Sequence, residues 1–202
     1  MKKPVFRAAA AAIAACFLVA ADAPSLRKAP ELAFTVPGQG DQLLSQYRGK
    51  VVATEFILTT CPHCQAASRL MSNFQREFGN RGFQALDVAI NGLDEGRTPQ
   101  QASELVQNFY NQFQVAFPVG FTPRDAMTTF MGFSLADRFV VPQLVLIDRK
   151  GIIHYQTPPL GDEHSMDEAV IRQRIEELLS LSNSASAHTS GKSRVAVAKK
   201  SS

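Results

Sequence analysis

Cys61 and Cys64 are separated by only two residues, in the run Cys61-Pro62-His63-Cys64. Two thiols at this spacing can form a disulfide with each other and exchange it with other thiols. A purely structural bridge over so short a loop would constrain the unfolded chain little, and a four-ligand zinc site usually needs a second cysteine pair. The sequence has only 3 cysteines. The pair is therefore interpreted as redox-active, and no metal or cofactor is expected.

The residues around the pair predict that it lies between a strand and a helix. Residues 51–58 form a short apolar run rich in β-branched side chains, which is typical of a buried strand. Residues 62–78 carry apolar side chains at helical spacing. Cys61 would then lie at the helix N-terminus, where it should ionise more easily than a free thiol and act as the nucleophile. Cys64, one turn further in, should be more buried and release the bound substrate.

The rest of the chain alternates between strand-like and helix-like segments. Strands are predicted at 83–90 and 117–121, helices at 98–113 and 124–131, a hairpin at 141–147 and 152–156, and an amphipathic helix at 165–181. The 202 residues, of which 45% are hydrophobic, suit one domain. This order predicts an α/β domain over residues 24–182. We expect a three-layer sandwich in which helices flank a central mixed β-sheet, parallel at the crossovers and antiparallel at the hairpin.

Both ends of the chain are predicted to lie outside this domain. A basic start and an apolar run ending near Ala21 predict a signal peptide over residues 1–21. Residues 13–16 also resemble a bacterial lipoprotein box, in which case the signal would end before Cys16 and a lipid on Cys16 would attach the protein to a membrane. Residues 183–202 are rich in Ser, Ala and Lys and predict a disordered basic tail. The expected location is the periplasm or the exterior of the cell envelope.

The formal net charge of +3 gives no sign of nucleic-acid binding. Seven basic residues lie in the two ends: Lys2, Lys3, Arg7, Lys192, Arg194, Lys199 and Lys200. The domain between them is near neutral or slightly acidic, and the basic residues of the tail are few and scattered.

Several separated motifs resemble the exported thioredoxin-like proteins of the TlpA and ResA type. The motifs are Gly49-Lys50-Val51-Val52, Phe56 with the Cys-Pro-His-Cys run, Val141-Pro142, Leu144-Val145-Leu146-Ile147-Asp148 and Gly151. The similarity covers roughly residues 32–181. It implies a thioredoxin-like fold and a thiol-disulfide oxidoreductase. Its expected partners are the thiols and disulfides of exported proteins and an upstream redox partner.

The resemblance also implies roles for residues outside the cysteine pair. Pro142 should be in the cis form, face the cysteines and, with Val141, offer backbone groups to an extended substrate; an X-Pro bond adopts cis at modest cost. The alternative is a proline that merely starts a strand. Thr60, the third predicted substrate-binding residue, replaces the Trp that is usual in the TlpA type.

Glu55 is an acid within the apolar strand, six residues before Cys61. Thioredoxins are similar in carrying a buried Asp at the matching position. The resemblance implies that Glu55 relays the proton of Cys64 through water, and apolar surroundings should raise its pKa. The alternative is that strand alternation turns Glu55 outward to solvent.

Pro62 and His63 are the predicted tuning residues of the redox pair. An imidazole between the cysteines can stabilise a Cys61 thiolate. The Cys-Pro-His-Cys run and Val141 resemble the oxidising DsbA enzymes, but the chain lacks the long helical insertion of DsbA. The TlpA-like scaffold suggests a reductase and the motif suggests an oxidase, so the sequence leaves the direction of electron transfer open.

Two other functions fit the same fold. Peroxiredoxins place Pro seven and Thr three residues before the reactive cysteine, where this chain has Thr54 and Leu58. Copper chaperones of the Sco type carry a Cys-x-x-x-Cys pair together with a distant His ligand. Here only two residues separate the cysteines. The remaining histidines, His154, His164 and His188, are expected to be ordinary surface residues.

Overall fold

The computed structural model of the protein describes residues 26–134 and 136–192. The predicted signal peptide, Cys16 and residues 193–202 of the predicted tail lie outside the described residues. None of the helices in the described part is long and apolar enough to cross a membrane.

Eight strands and four helices make up the described chain. The strands are β1 (Arg27–Lys28), β2 (Ala33–Val36), β3 (Gly40–Leu43), β4 (Val51–Ile57), β5 (Phe83–Ala89), β6 (Val119–Phe121), β7 (Gln143–Ile147) and β8 (Ile152–Gln156). The helices are α1 (Pro62–Phe78), α2 (Pro99–Phe113), α3 (Arg124–Met131) and α4 (Glu168–Lys192). The strands form one sheet in the order β1-β8-β7-β4-β5-β6-β2-β3. Central strand β4 is parallel to β5 and antiparallel to β7, as the sequence predicts for a mixed sheet.

Two hydrophobic cores cover the two faces of this sheet. Helices α1, α2 and α4 supply buried side chains to one core, and α3 and the segment before β3 supply the other. Strand β4 is buried along its whole length. Its side chains alternate between the faces, with Ala53 and Ile57 on the side of α1 and Phe56 on the side of α3. Glu55 has the same parity as Ala53 and Ile57, so its side chain lies between the sheet and α1.

The edges of the fold differ most from the prediction. Strands β1 and β3 have two and four residues and no buried side chain, so no hydrophobic alternation marks them, whereas the four-residue β2 buries Phe34 and Val36 on either side of Thr35. Gly120 of β6 lets the β2–β3 hairpin approach, since a Cβ there would lie 2.7 Å from the Phe34 ring and 2.8 Å from Thr35 O. Helix α4 starts at Glu168 and continues to Lys192, through ten residues that the sequence analysis assigns to a disordered tail.

Candidate active site

Cys61 is the N-cap residue of α1, just beyond the C-terminal end of β4. Its backbone N–H donates to Leu58 O at 3.1 Å, and its carbonyl accepts from Gln65 N at 3.0 Å, which begins the helix. Pro62 occupies the first helical position, where its missing N–H costs nothing. The turn is fixed from the side because Asn91 Nδ2 donates to Thr59 Oγ1 at 3.1 Å. The thiol of Cys61 is therefore presented at a defined helix start.

The two thiols lie in different surroundings. Both are free thiols in this structure, Cys61 half-buried and Cys64 fully buried. Burial raises the pKa of the Cys64 thiol far above its usual range, and the nearby Cys61 and Glu55 raise it further, while a backbone hydrogen bond from Leu58 acts in the opposite direction. Cys64 therefore keeps its proton at neutral pH until a base accepts it.

Glu55 is fully buried, so the alternative that it faces solvent is wrong. It lies opposite Asp87 of β5 and Leu144 of β7 in the sheet. Neither of its carboxyl oxygens has a hydrogen-bond partner among the described residues. Burial raises the pKa of Glu55 well above its usual range, and the negative charge of Asp87 raises it further. The relay role of Glu55 remains a prediction, and its charge is near enough to raise the pKa of Cys64, which is compatible with that role.

Asp87 and Ser68 are residues of this site that the sequence analysis missed. Asp87 is fully buried, and its Oδ2 lies 2.6 Å from Ser68 Oγ. Ser68 Oγ also lies 2.9 Å from the carbonyl oxygen of Cys64. Burial raises the pKa of Asp87, and its hydrogen bond with Ser68 and the neighbouring Glu55 side chain oppose that rise. A signal was available, since Asp87 interrupts an apolar strand at the fifth residue, as Glu55 does in β4.

An open groove of about 580 Å³ runs beside the start of α1. Its lining residues are His63, Ala66, Ala67, Leu70, Val140, Val141, Pro142, Leu160, Gly161, Asp162, Glu163, Ser165 and Met166. The Val141-Pro142 peptide bond is cis, and both residues lie in the loop that enters β7. The groove thus brings His63 and the predicted substrate-binding residues Val141 and Pro142 together. Thr60 is exposed on the turn before Cys61 and is not part of the groove lining.

Gln143 holds the two loops on the far side of this groove. It is fully buried, and its Nε2 donates to Val140 O at 2.8 Å and Pro159 O at 3.0 Å. Its Oε1 accepts from Thr157 Oγ1 at 2.6 Å. One side chain therefore fixes the loop before β7 and the loop after β8 relative to each other.

His154 and His164 are not among the residues that line the groove. His154 Nε2 is 3.0 Å from Asp148 Oδ2 at the β7–β8 hairpin, and His164 Nδ1 is 2.9 Å from Asp167 Oδ2 on the surface. The side chain of His188 lies outside the described residues. Within the part of the chain that the structure describes, no three His, Cys, Asp or Glu side chains are grouped so that they could hold a metal ion.

The sheet order, the flanking helices and the cysteine pair at the start of α1 define a thioredoxin-like α/β oxidoreductase of the redoxin type. The chain belongs to the AhpC/TSA family, which matches residues 26–156. A comparison with curated protein sequences finds no match.

Solved structures agree with this assignment. A Chlorobium tepidum protein described as a thiol:disulfide interchange protein DsbE is 25% identical over 76% of this chain and 96% of its own, with a TM-score of 0.60. A Bacteroides thetaiotaomicron protein described as a protein disulfide isomerase is 25% identical over 76% of this chain and 89% of its own, with a TM-score of 0.59. A thioredoxin family protein of Chlorobium tepidum, 19% identical over 76% and 97% of the two chains with a TM-score of 0.59, shares the fold. The predicted thioredoxin-like fold is confirmed.

Proposed function

We propose that the protein is an exported thiol-disulfide oxidoreductase that exchanges electrons with exported protein substrates through Cys61 and Cys64. The observation that carries this proposal is the contrast between the two thiols. Cys61 is accessible at the start of α1, and Cys64 is fully buried one turn inside. Cys61 can therefore react with a substrate, and Cys64 can then attack the mixed disulfide that forms on Cys61. The two solved structures at 25% identity, described as an interchange protein and an isomerase, support this chemistry.

The reducing direction takes two steps. The thiolate of Cys61 attacks a substrate disulfide, one substrate sulfur binds to Cys61 Sγ, and the other leaves as a thiolate that takes a proton from solvent. Cys64 then loses its proton and attacks Cys61 Sγ, which breaks the bond to the substrate. The substrate gains two electrons and the protein is left with a Cys61–Cys64 disulfide. The reverse sequence oxidises a substrate dithiol, and the reduction potentials of substrate and upstream partner set the direction.

The groove is the proposed substrate site. An extended substrate segment would lie along the backbone at Val141 and Pro142, with the side chains next to its cysteine in the groove. The lining is mostly apolar around Ala66, Leu70 and Met166, and burial of apolar side chains there would stabilise the complex. Thr60, exposed beside Cys61, would contact the substrate from the other side.

Trapping of the intermediate tests the proposal. With Cys64→Ser, the bond between Cys61 and a substrate cannot be resolved, so mixed disulfides should accumulate on Cys61 and disappear on reduction. Cys61→Ser is the matched control and should trap little, because Cys64 is buried. The full chain is expressed in its own cell type and the adducts are identified by mass spectrometry. The same spectra give the mature N-terminus, which should lie near residue 22 or at a lipidated Cys16. If the Cys64→Ser protein carries no protein adduct through Cys61, the proposal is wrong.

A peroxidase is the second candidate, since the chain belongs to the AhpC/TSA family and peroxiredoxins share this fold. Thr54 and Leu58 occupy the positions at which peroxiredoxins have Pro and Thr. We therefore expect hydrogen peroxide to oxidise the dithiol protein much more slowly than a protein disulfide does. Rapid peroxide turnover that survives Cys64→Ser would favour the peroxidase.

A further inference from the structure

Two carboxyl groups lie side by side in the core between the sheet and α1. Glu55 and Asp87 are directly paired in the parallel register of β4 and β5, and both are fully buried. Each has the parity of the neighbours that form the core under α1, which are Ala53 and Ile57 in β4 and Ala85 and Ala89 in β5. Cys64 belongs to the same core. Both acids therefore point to the side of the sheet on which Cys64 lies.

Few hydrogen bonds offset the loss of solvation of these two buried acids. Glu55 Oε1, Glu55 Oε2 and Asp87 Oδ1 are buried without a hydrogen-bond partner among the described residues. Two carboxylates at such a site would repel each other in surroundings that solvate neither, so a pair of this kind holds one proton between its members and carries one negative charge. The raised pKa values of Glu55 and Asp87 agree with this state.

Ser68 connects the pair to the turn of α1 that carries Cys64. Its hydroxyl has one proton and two acceptors within reach, Asp87 Oδ2 at 2.6 Å and the Cys64 carbonyl at 2.9 Å. When Asp87 is ionised, the hydroxyl donates to Asp87. When Asp87 is protonated, Asp87 can donate to Ser68 and the hydroxyl is free to donate to the Cys64 carbonyl. Ser68 therefore fixes Asp87 against α1 in both protonation states.

Acceptance of the Cys64 proton by Glu55 is what the sequence resemblance implies; we propose that Asp87 forms one proton-holding pair with Glu55, and that Asp87 and Ser68 are positioning residues for this transfer. This inference rests on the proposed function. As Cys64 attacks Cys61 Sγ, its proton passes to Glu55 and the proton already on Glu55 moves to Asp87. The pair becomes neutral, and the substrate sulfur leaves Cys61 and takes a proton from solvent. The pair returns one proton to Cys64 when the disulfide is reduced again.

The pairing explains how a buried acid can act as a base. Burial alone raises the pKa of Glu55, so a single acid in this core would hold its own proton more tightly and accept another less readily. With Asp87 beside it, whose pKa burial raises to about 7, the singly protonated pair offers an acceptor oxygen although only one charge is buried. Asp87 does not touch the reacting sulfur atoms and acts through Glu55.

A two-phase reaction with dithiobis(nitrobenzoic acid) tests the pair on the full chain. With an equimolar amount of reagent, attack by Cys61 releases a first coloured thiolate, and attack by Cys64 on the Cys61 adduct releases a second. The first phase reports Cys61 and the second reports Cys64. Asp87→Asn keeps the shape of the side chain and removes its ability to store a proton. It should slow the second phase about tenfold or more at pH 7 and change the first less than about twofold.

The pH profile and a neighbouring serine separate this role from a structural one. In the native protein the second phase should slow as pH falls, because the pair fills with protons. In Asp87→Asn that inflection should move, because only Glu55 is left to titrate. Ser68→Ala should slow the second phase, whereas Ser72→Ala is the control: Ser72 is also buried in α1, and its Oγ accepts from Ala116 N. If Ser72→Ala slows the second phase as much as Ser68→Ala, or if Asp87→Asn keeps the native profile, the pair is not a proton store.

Infrared spectroscopy tests the pair without any substitution. The dithiol protein at neutral pH should show the carbonyl stretch of one protonated carboxylic acid. Absence of that band overturns the inference. This measurement uses the native protein, so it decides the question even if the Asp87→Asn variant does not fold. If the native protein releases no second thiolate, the proposed thiol-disulfide exchange is wrong. If Asp87→Asn shows a normal second phase with the native pH profile, exchange is still supported and only the proposed pair is wrong.

Discussion

Cys61 and Cys64 are identical residues one helical turn apart, and their surroundings give them different chemistry. Cys61 caps α1 and is half exposed, whereas Cys64 is buried in the core with Glu55 near enough to raise its pKa. The thiolate is the reactive form of a cysteine. Cys64 therefore depends on a base at the moment of attack, and in the proposal above the buried pair Glu55 and Asp87 would supply one.

Glu55→Gln should stabilise the dithiol protein more at pH 8 than at pH 5. Burial raises the pKa of Glu55 in the folded state, so the folded protein holds a proton that the unfolded chain, with a Glu pKa of about 4.3, releases. Stability of the native protein therefore falls as pH rises from the unfolded pKa to the folded one. Gln has no proton to lose. The gain in unfolding free energy relative to the native protein should grow by ~1 kcal/mol or more between the two pH values, measured by urea unfolding.

Glu176→Gln is the control for this measurement. Glu176 is an exposed acid of α4, so its replacement should change stability equally at both pH values. A Glu55→Gln gain that stays the same from pH 5 to pH 8 would show that Glu55 does not hold its proton more tightly in the folded state.

Among the helices and strands, the sequence predicted those whose apolar spacing is visible locally. The bounds of α1 and α3 and of β8 agree with the prediction, because Pro62 and the apolar spacing of α1 are local signals. The Ser68–Asp87 bond and the bonds of Gln143 to Pro159 and Thr157 join residues that are 14 to 19 positions apart. No local pattern contains such contacts. Asp87 was visible in the sequence as an acid in an apolar strand, but its pairing with Glu55 depends on the strand register, which the sequence does not show.

Gln143→Met should impair reaction with protein substrates more than reaction with a small disulfide. The substitution removes the donors to Val140 O and Pro159 O and leaves the Thr157 hydroxyl without its acceptor, so the two loops lose their fixed spacing. The expected loss of unfolding free energy is ~1–3 kcal/mol. We expect KM for a folded protein disulfide to rise about tenfold while the first phase with dithiobis(nitrobenzoic acid) changes less than about twofold, because the small reagent needs only Cys61.

Gln84→Met provides the matched control. Gln84 is also a buried glutamine, but it lies near the start of β5 and bonds to Lys50 Nζ and Ala85 O, away from the groove. It should lose stability without a selective rise in KM. An equal effect of both substitutions on KM would contradict a specific role of Gln143 in the groove.

The redox reaction and the folding of the domain share one thermodynamic cycle. The groove, the helix start and the buried acids exist only when the sheet and both cores are formed. Any interaction that stabilises the folded dithiol form relative to the folded disulfide form raises the reduction potential, and raises the unfolding free energy of the dithiol form relative to the disulfide form by the corresponding amount. About 30 mV corresponds to about 1.4 kcal/mol for this two-electron couple.

His63→Ala should lower the reduction potential and make the dithiol form less stable relative to the disulfide form. His63 is exposed in the first turn of α1 beside the groove, where its imidazole can stabilise negative charge on Cys61. A fall of about 30 mV, measured in glutathione redox buffers, should appear as about 1.4 kcal/mol in the difference between urea unfolding of the two forms. His164→Ala, which removes an exposed histidine paired with Asp167, should change neither quantity. A potential that shifts without the matching change in stability would mean that His63 acts on the unfolded chain as well as on the folded site, because the cycle must close.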